Sequence, residues 1–289
     1  MKGLVVTADD FGSAVEVNAA VERAHRDGLL TAASLMVTGP AADDALSRAR
    51  RMPRLRVGLH LVLVEGRSVL PAASLPDLVE ANGYFRTDMA RMGAALFFRR
   101  KVREQLHREI AAQFERFAES GLELDHVNTH KHFHLHPTIA DAIIAVGQNF
   151  GVRAVRVPLE PRRTLRAIEP GAAHLDLLRP IARASLRKFR QAGLLTADHV
   201  FGLAWSGQMR AARVRGIIAN LPSGLSEIYL HPATEDVFVG STPGYAYRNE
   251  LNALLDEKAM TLARNSDITF GGFGDFLPAD RIGANRSSH

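Results

Sequence analysis

The stretch Gly3-Leu4-Val5-Val6-Thr7-Ala8-Asp9-Asp10-Phe11-Gly12 decides the fold. From Gly3 to Ala8 it is an uninterrupted β-rich apolar run, the mark of a strand covered on both faces. Covering both faces takes helices, so the run implies the parallel sheet of an α/β protein. It ends in two carboxylates, which are costly near a core unless something uses them. In parallel α/β folds the reactive residues gather at the C-terminal ends of strands, so Asp9 and Asp10 are the first candidate site residues. Successive side chains of a strand point apart. The pair can share a site only if the chain turns there, which Gly12 permits.

Outward from this strand the same alternation repeats. Ser13 reads as the N-cap of a first helix that stops at Gly28. Thr31 to Val37 reads as a second strand, Asp43 to Arg51 as a second helix, and Arg56 to Val64 as a third strand with His60 inside it. A polar side chain in such a run costs free energy unless it is paired or ligating. The excursion at about 65–101, with Pro71, Pro76 and Gly83, is too long for a bare connector and reads as a lid. Met92, Leu96, Val102, Leu106, Ile110, Phe114 and Phe117 predict one helix from Met89 to Gly121. Later come a helix from Pro137 to Phe150, a strand over Val152 to Val157 carrying Arg156, and an Arg-rich region with a helix after Pro180. Strands at His199 to Trp205, Glu227 to His231 and Asp267 to Phe270 follow, separated by helices at Gln208 to Asn220 and Tyr247 to Arg264. About eight strands alternating with helices predict a (β/α) barrel-like fold, a distorted TIM-type barrel, as a single domain over 1–278 with a disordered tail at 279–289. A doubly wound open sheet is the alternative.

Five of the chain's twelve histidines lie in Asp125-His126-Val127-Asn128-Thr129-His130-Lys131-His132-Phe133-His134-Leu135-His136-Pro137. Strand alternation would place His126, Asn128, His130, His132, His134 and His136 on one face, and Pro137 would start the next helix. Neutral imidazole is the commonest metal ligand, and several on one face can converge on an ion. A solvated histidine cluster is the plainer reading. With no Cys in the chain, any metal must be held by His, Asp, Glu and water.

The chain has 289 residues, of which 46% are hydrophobic, enough for a sizeable core. The net charge of +5 raises the question of polyanions. No zinc finger, RNP-like strand or basic tail supports nucleic acid; basic residues on amphipathic segments suit an anionic membrane surface, and an Arg-rich solvated surface is the plainer reading. The N-terminus reaches Asp9 too soon for a signal peptide, so a cytoplasmic protein is expected, peripheral to the inner face of the membrane.

One carboxylate and two imidazoles leave open positions on a divalent ion, as a hydrolytic site needs. A second carboxylate free of the metal can accept the proton of the attacking water, and Asp9-Asp10 suits that division of labour. A histidine opposite can protonate the leaving amine, and Arg156 can hold a substrate hydroxyl or carboxylate. Acid residues capping the first helix are the alternative for the Asp pair.

Asp9-Asp10-Phe11-Gly12, Gly58-Leu59-His60-Leu61 and His126-x-Asn128-Thr129-His130-x-His132-x-His134, with Tyr229-Leu230-His231-Pro232 and Glu250, resemble the YdjC/ChbG family of carbohydrate deacetylases. In detail, Asn128-Thr129-His130-Lys131-His132 is similar to the hopanoid-biosynthesis-associated subgroup, HpnK. The resemblance implies a barrel-like fold and metal-dependent removal of acetyl from an N-acetylated amino sugar. It implies Asp10, His60 and His130 as ligands of one divalent ion, zinc or magnesium, and Asp9 as general base. His231 as general acid follows by analogy with related polysaccharide deacetylases. Arg156, Asn128 and His132 are assigned to substrate; Asn128 stands where many family members have Asp. For the subgroup the implied substrate is the N-acetylglucosaminyl group of a hopanoid, and a homodimer is implied as well. Soluble chito-oligosaccharides as substrate and a non-enzymatic lipid-binding role are the alternatives.

Overall fold

Strand β1 (Lys2–Phe11) is buried at every position from Gly3 to Asp9, as an apolar run sealed on both faces requires. The computed structural model describes residues 1–171 and 178–278; the tail expected to be disordered, 279–289, lies outside the described residues. After β1 come α1 (Val15–Asp27), β2 (Ala32–Leu35), α2 (Ala42–Arg50), β3 (Arg56–Leu61), α3 (Met89–Phe98), α4 (Arg100–Glu119), β4 (Leu124–Thr129) and α5 (Pro137–Gly147). The chain continues through α6 (Arg162–Ile168), α7 (Arg179–Gln191), β5 (His199–Phe201), α8 (Ala211–Ala219), β6 (Gly224–Leu230), α9 (Tyr247–Leu254), α10 (Glu257–Arg264) and β7 (Ile268–Phe270).

The strands pair in parallel in the order β4-β3-β2-β1-β6-β5. Strand β7 pairs with the first residues of β1, Lys2 to Leu4, below the point at which β2 joins at Thr7. The sheet curls into a half-barrel with helices packed on its outer face, a single α/β domain. Among the described residues seven strands are regular, one fewer than the sequence count. The expected strand at Val152 to Val157 makes only single bridges, Val127 to Val155 and Ala154 to Leu195, which carry the curve from β4 toward β5.

Several boundaries differ from the sequence reading for identifiable reasons. The expected helix from Met89 to Gly121 breaks at Arg99, which is extended (φ −114°, ψ 107°). The apolar step from Leu96 to Val102 is six residues long, a spacing no single helix face can serve. Asp256 caps α10 by accepting the Ala259 N–H, splitting the helix expected from Tyr247 to Arg264. Ser13 does not cap α1: the N-cap is Ala14, and the turn before it is held by Asn18, whose Oδ1 accepts the Gly12 N–H at 2.8 Å.

The excursion after β3 is tied to α4 by three buried polar side chains one turn apart. Gln113 bonds both the N–H and C=O of Val62, Glu109 accepts the N–H groups of Val69 and Leu70, and Gln105 accepts that of Asp77. Among the described residues no helix is long and apolar enough to cross a membrane.

Candidate metal centre and active site

Near the end of β1 the register against β2 slips between Ala8 and Phe11, and Asp10 adopts the left-handed conformation (φ 61°). A bulge of this kind re-aims a side chain, at a conformational cost that a residue other than glycine rarely carries. The turn needed to bring Asp9 and Asp10 to one site thus lies at Asp10 itself. His60 projects from the end of β3, and His130 is the first residue beyond β4.

These three meet. Asp10 Oδ1 lies 3.3 Å from His60 Nε2 and 3.3 Å from His130 Nδ1, and the two nitrogens are 3.4 Å apart. Three ligands placed tetrahedrally at about 2.0–2.1 Å from one ion are about 3.3–3.4 Å apart, so the spacing fits a single metal ion. Asp10 Oδ1 is buried and has no hydrogen-bond donor. Burial alone would raise the Asp10 carboxyl, but the His130 and His60 rings hold it well below its usual range. Burial depresses His130, and Asp10 more than reverses this. The cluster calls for positive charge.

The second carboxylate has a cation of its own. Arg156 is fully buried and spans Asp9 and Glu227: one guanidinium nitrogen pairs with Asp9 Oδ2, while Nε and the other nitrogen donate to Glu227 Oε1 at 3.0 and 2.7 Å. Thr7 donates to the same Glu227 oxygen, and the guanidinium stacks over the Tyr229 ring at 4.5 Å. Burial works to raise the Asp9 carboxyl, but Arg156, His60 and His231 together hold it far below its ordinary value. Asn128 Nδ2 donates to Asp9 Oδ1 at 3.1 Å, and Asn128 Oδ1 lies 2.6 Å from His60 Nδ1. Arg156 and Asn128 are the two residues expected to meet substrate. Both are sealed from solvent with their polar atoms committed to Asp9, Glu227 and His60, so they position other groups.

The expected single face of histidines does not form, because β4 ends at Thr129 and Lys131 and His132 turn left-handed (φ 54° and 53°). The turn directs the His132 ring to Tyr229, with Nε2 2.9 Å from the phenol oxygen and Nδ1 buried without a partner. His134 donates from Nε2 to the Arg156 carbonyl at 2.7 Å, and burial pushes its pKa down to about 4. His136 caps α5 by accepting the Thr138 N–H. His134 and His136 are thus structural.

His231 follows the last residue of β6. Its backbone N–H donates to buried Glu250, its Nδ1 lies 3.9 Å from the same carboxylate, and its side chain is 13% exposed. Glu227 was missed by sequence reasoning, and Tyr229 entered only as part of the Tyr229-Leu230-His231-Pro232 motif. A carboxylate inside the apolar run Gly224-Leu225-Ser226-Glu227-Ile228-Tyr229-Leu230 carries the same signal that singled out His60.

The carbohydrate deacetylase of Geobacillus stearothermophilus is 32% identical to this chain over 255 residues, 87% of this chain and 89% of that protein. The mouse (Mus musculus) carbohydrate deacetylase is 34% identical over 250 residues, covering 81% and 79%. The match to the Brevibacillus brevis carbohydrate deacetylase, 37% identical over 155 residues, spans only 59% of that protein. A crystal structure of a candidate cellobiose-phosphate cleavage protein from Enterococcus faecalis V583 shares the fold, with a TM-score of 0.76 at 22% identity over 96% of this chain and 99% of that one. The family model described as YdjC-like protein matches residues 3–265, and on that extent this chain belongs to the YdjC-like family.

Proposed function

We propose that this chain is a metal-dependent hydrolase that removes the acetyl group from an N-acetylated amino sugar. Hydrolysis of an acetylated sugar is supported by family membership and by relatives named carbohydrate deacetylase. Metal dependence rests on one observation, the triangle of Asp10, His60 and His130. Two imidazoles and one carboxylate favour zinc over magnesium, which prefers oxygen ligands. Such an ion, when bound, supplies Lewis acidity to the amide carbonyl and brings the pKa of water down to roughly 7.

The protein's own groups do the rest. Asp9, kept anionic by Arg156, takes a proton from the water that adds to the acetyl carbon. His231 gives a proton to the sugar nitrogen as the C–N bond breaks and acetate leaves. His132, whose Nδ1 has no protein partner, faces the substrate.

For the finer substrate we assign the N-acetylglucosaminyl group of a hopanoid lipid, presented at the cytoplasmic face of a membrane. This is supported by likeness to the hopanoid-associated subgroup and by Phe97 and Phe98, 53% and 86% exposed. The Phe97 ring lies 4.4 Å from His136 at the end of the histidine loop. Exposed aromatics next to basic residues suit an anionic lipid surface. Arg99 pairs with Asp77 and Arg100 with Glu104, which leaves Lys101 and Arg103 as the other basic residues of this segment, and Arg103 donates to the Leu96 and Phe97 carbonyls. Soluble chito-oligosaccharides are the second reading, favoured by relatives whose name specifies a carbohydrate and no lipid.

Acetate release from N-acetylglucosaminyl hopanoid, beside acetylated chitobiose and N-acetylglucosamine, tests both readings. Release from the hopanoid alone, lost on metal stripping and in Asp9→Asn, is the expected result. Equal release from the soluble sugars overturns the lipid assignment, and release that survives metal stripping overturns the metal.

A further inference from the structure

Behind the site a row of buried polar groups crosses the barrel. Asp125 Oδ2 lies 2.9 Å from His126 Nδ1, His126 Nε2 lies 3.0 Å from Ser34 Oγ, and Ser34 Oγ accepts from Asn128 Nδ2 at 2.9 Å. Asn128 then reaches Asp9 and His60. Apart from Asp125, at the start of the row, every side chain between it and the site is fully buried. Water therefore does not supply the donors and acceptors, and each group must find them in its neighbours.

The direction of every bond in this row is fixed from both ends. Asp125 is an acceptor, already taking the N–H groups of Phe273 and Gly274, so His126 must present its proton at Nδ1. That leaves a lone pair on His126 Nε2, which takes the Ser34 hydroxyl proton. The Ser34 oxygen is then free to accept one hydrogen of the Asn128 amide. From the other end, Asp9 is an anion paired with Arg156 and takes the second hydrogen of the same amide. Both ends thus demand that Asn128 aim its nitrogen at Ser34 and Asp9 and its oxygen at His60. His60 must then carry its proton on Nδ1, and its Nε2 lone pair faces Asp10 and His130. Were the amide turned over, its oxygen would face the Asp9 carboxylate. Glycine at 58 makes room for the row, since a Cβ there would fall 2.5–2.6 Å from three atoms of the His126 ring.

We propose that Asp125, His126 and Ser34 are positioning residues that set the orientation of the Asn128 amide, and through it the ligand-ready tautomer of His60 and the placement of Asp9. None of the three touches substrate or metal. The inference rests on the reading of Asp10, His60 and His130 as a metal site.

The test uses the full-length protein in two states. In metal-free protein, ¹⁵N imidazole NMR is expected to find His60 and His126 both protonated at Nδ1; an Nε2-protonated His60 overturns the proposal. Zinc titration then compares wild type with Ser34→Ala, His126→Leu and His126→Gln. Gln at 126 offers an amide oxygen where Nε2 stood and keeps an acceptor for Ser34, whereas Leu does not. Loss of an outer-shell partner costs roughly 10- to 100-fold in metal affinity. That loss is expected for Ser34→Ala and His126→Leu, with His126→Gln closer to wild type. Affinities within twofold of wild type in Ser34→Ala and His126→Leu, or equal losses in Leu and Gln, overturn the relay. Wild-type protein that binds no zinc overturns the metal site instead, and the tautomers of the metal-free protein then decide the relay alone.

Discussion

Asp9 and Asp10 are neighbours in sequence and stand at the same end of the same strand, yet the protein treats their charges in opposite ways. Asp9 is given a cation from within the chain: Arg156, itself shared with Glu227, leaves the trio with one net negative charge in a sealed environment. Asp10 is given none. It faces two imidazoles at 3.3 Å and keeps a buried oxygen without a donor. Where a fold supplies its own guanidinium, the carboxylate is a fixed part of the structure. Where it assembles lone pairs around an unpaired carboxylate, it has built a place for a cation from outside. The bulge at Asp10 is what allows two adjacent residues to differ so much.

The largest effect is expected from Arg156→Met. Removing one partner of a buried ion pair costs about 3–5 kcal/mol, and here two carboxylates lose their partner at once. Urea unfolding should show a loss of at least that size, and a change within 1 kcal/mol would deny that Arg156 holds the site together. Next, the two aspartates should separate cleanly. Asp9→Asn is expected to lower turnover about 10²- to 10⁴-fold while zinc still binds. Asp10→Asn is expected to lose zinc binding. In metal-free protein the order reverses for stability: Asp9→Asn leaves Arg156 short of a partner and destabilises most, whereas Asp10→Asn, which leaves no guanidinium unpaired, costs less. Equal destabilisation by both changes in metal-free protein would erase the distinction.

Much of this was legible in the sequence because burial makes polar residues conspicuous. Asp9, Asp10, His60 and Arg156 each interrupt or end an apolar strand, and all four lie at the C-terminal side of the sheet as a parallel α/β protein requires. The roles were less legible than the places. Arg156 reads as a substrate clamp until its depth is known, and only the packing of β6 shows Glu227 waiting opposite it. The histidine run misled because alternation was extended past Thr129. Nothing in His130-Lys131-His132 announces two consecutive left-handed residues, a conformation usually left to glycine or asparagine. The helix break at Arg99 is marked in the sequence by the six-residue apolar step, but regular spacing on either side of it masks the break. The Ser34–His126 row was out of reach, since it joins residues 92 apart that share no motif.

The smallest effect is also the one that carries the comparison beyond the site. Three carboxylates away from the metal site extend the contrast. Asp125 resembles Asp9: burial would raise it, but the His126 ring and the N–H groups of Gly274 and Phe273 outweigh burial and hold it below its ordinary 3.8. Glu109 and Glu160 have only neutral donors around them, backbone N–H groups and for Glu109 also Gln113, and burial keeps both above their ordinary 4.5. The two groups act on stability with opposite sign. A lowered folded value gives a contribution that is complete above the unfolded pKa and is lost as pH falls through the folded one. A raised folded value gives a contribution that is complete below the unfolded pKa and is lost as pH rises through the folded one. Between pH 5 and pH 3, Asp125→Asn should therefore flatten the fall of the urea midpoint with acid, whereas Glu109→Gln should steepen it. The two kinds of surroundings are then distinguished by the sign of a slope, and the same slope in both variants would mean that burial alone sets these carboxylates.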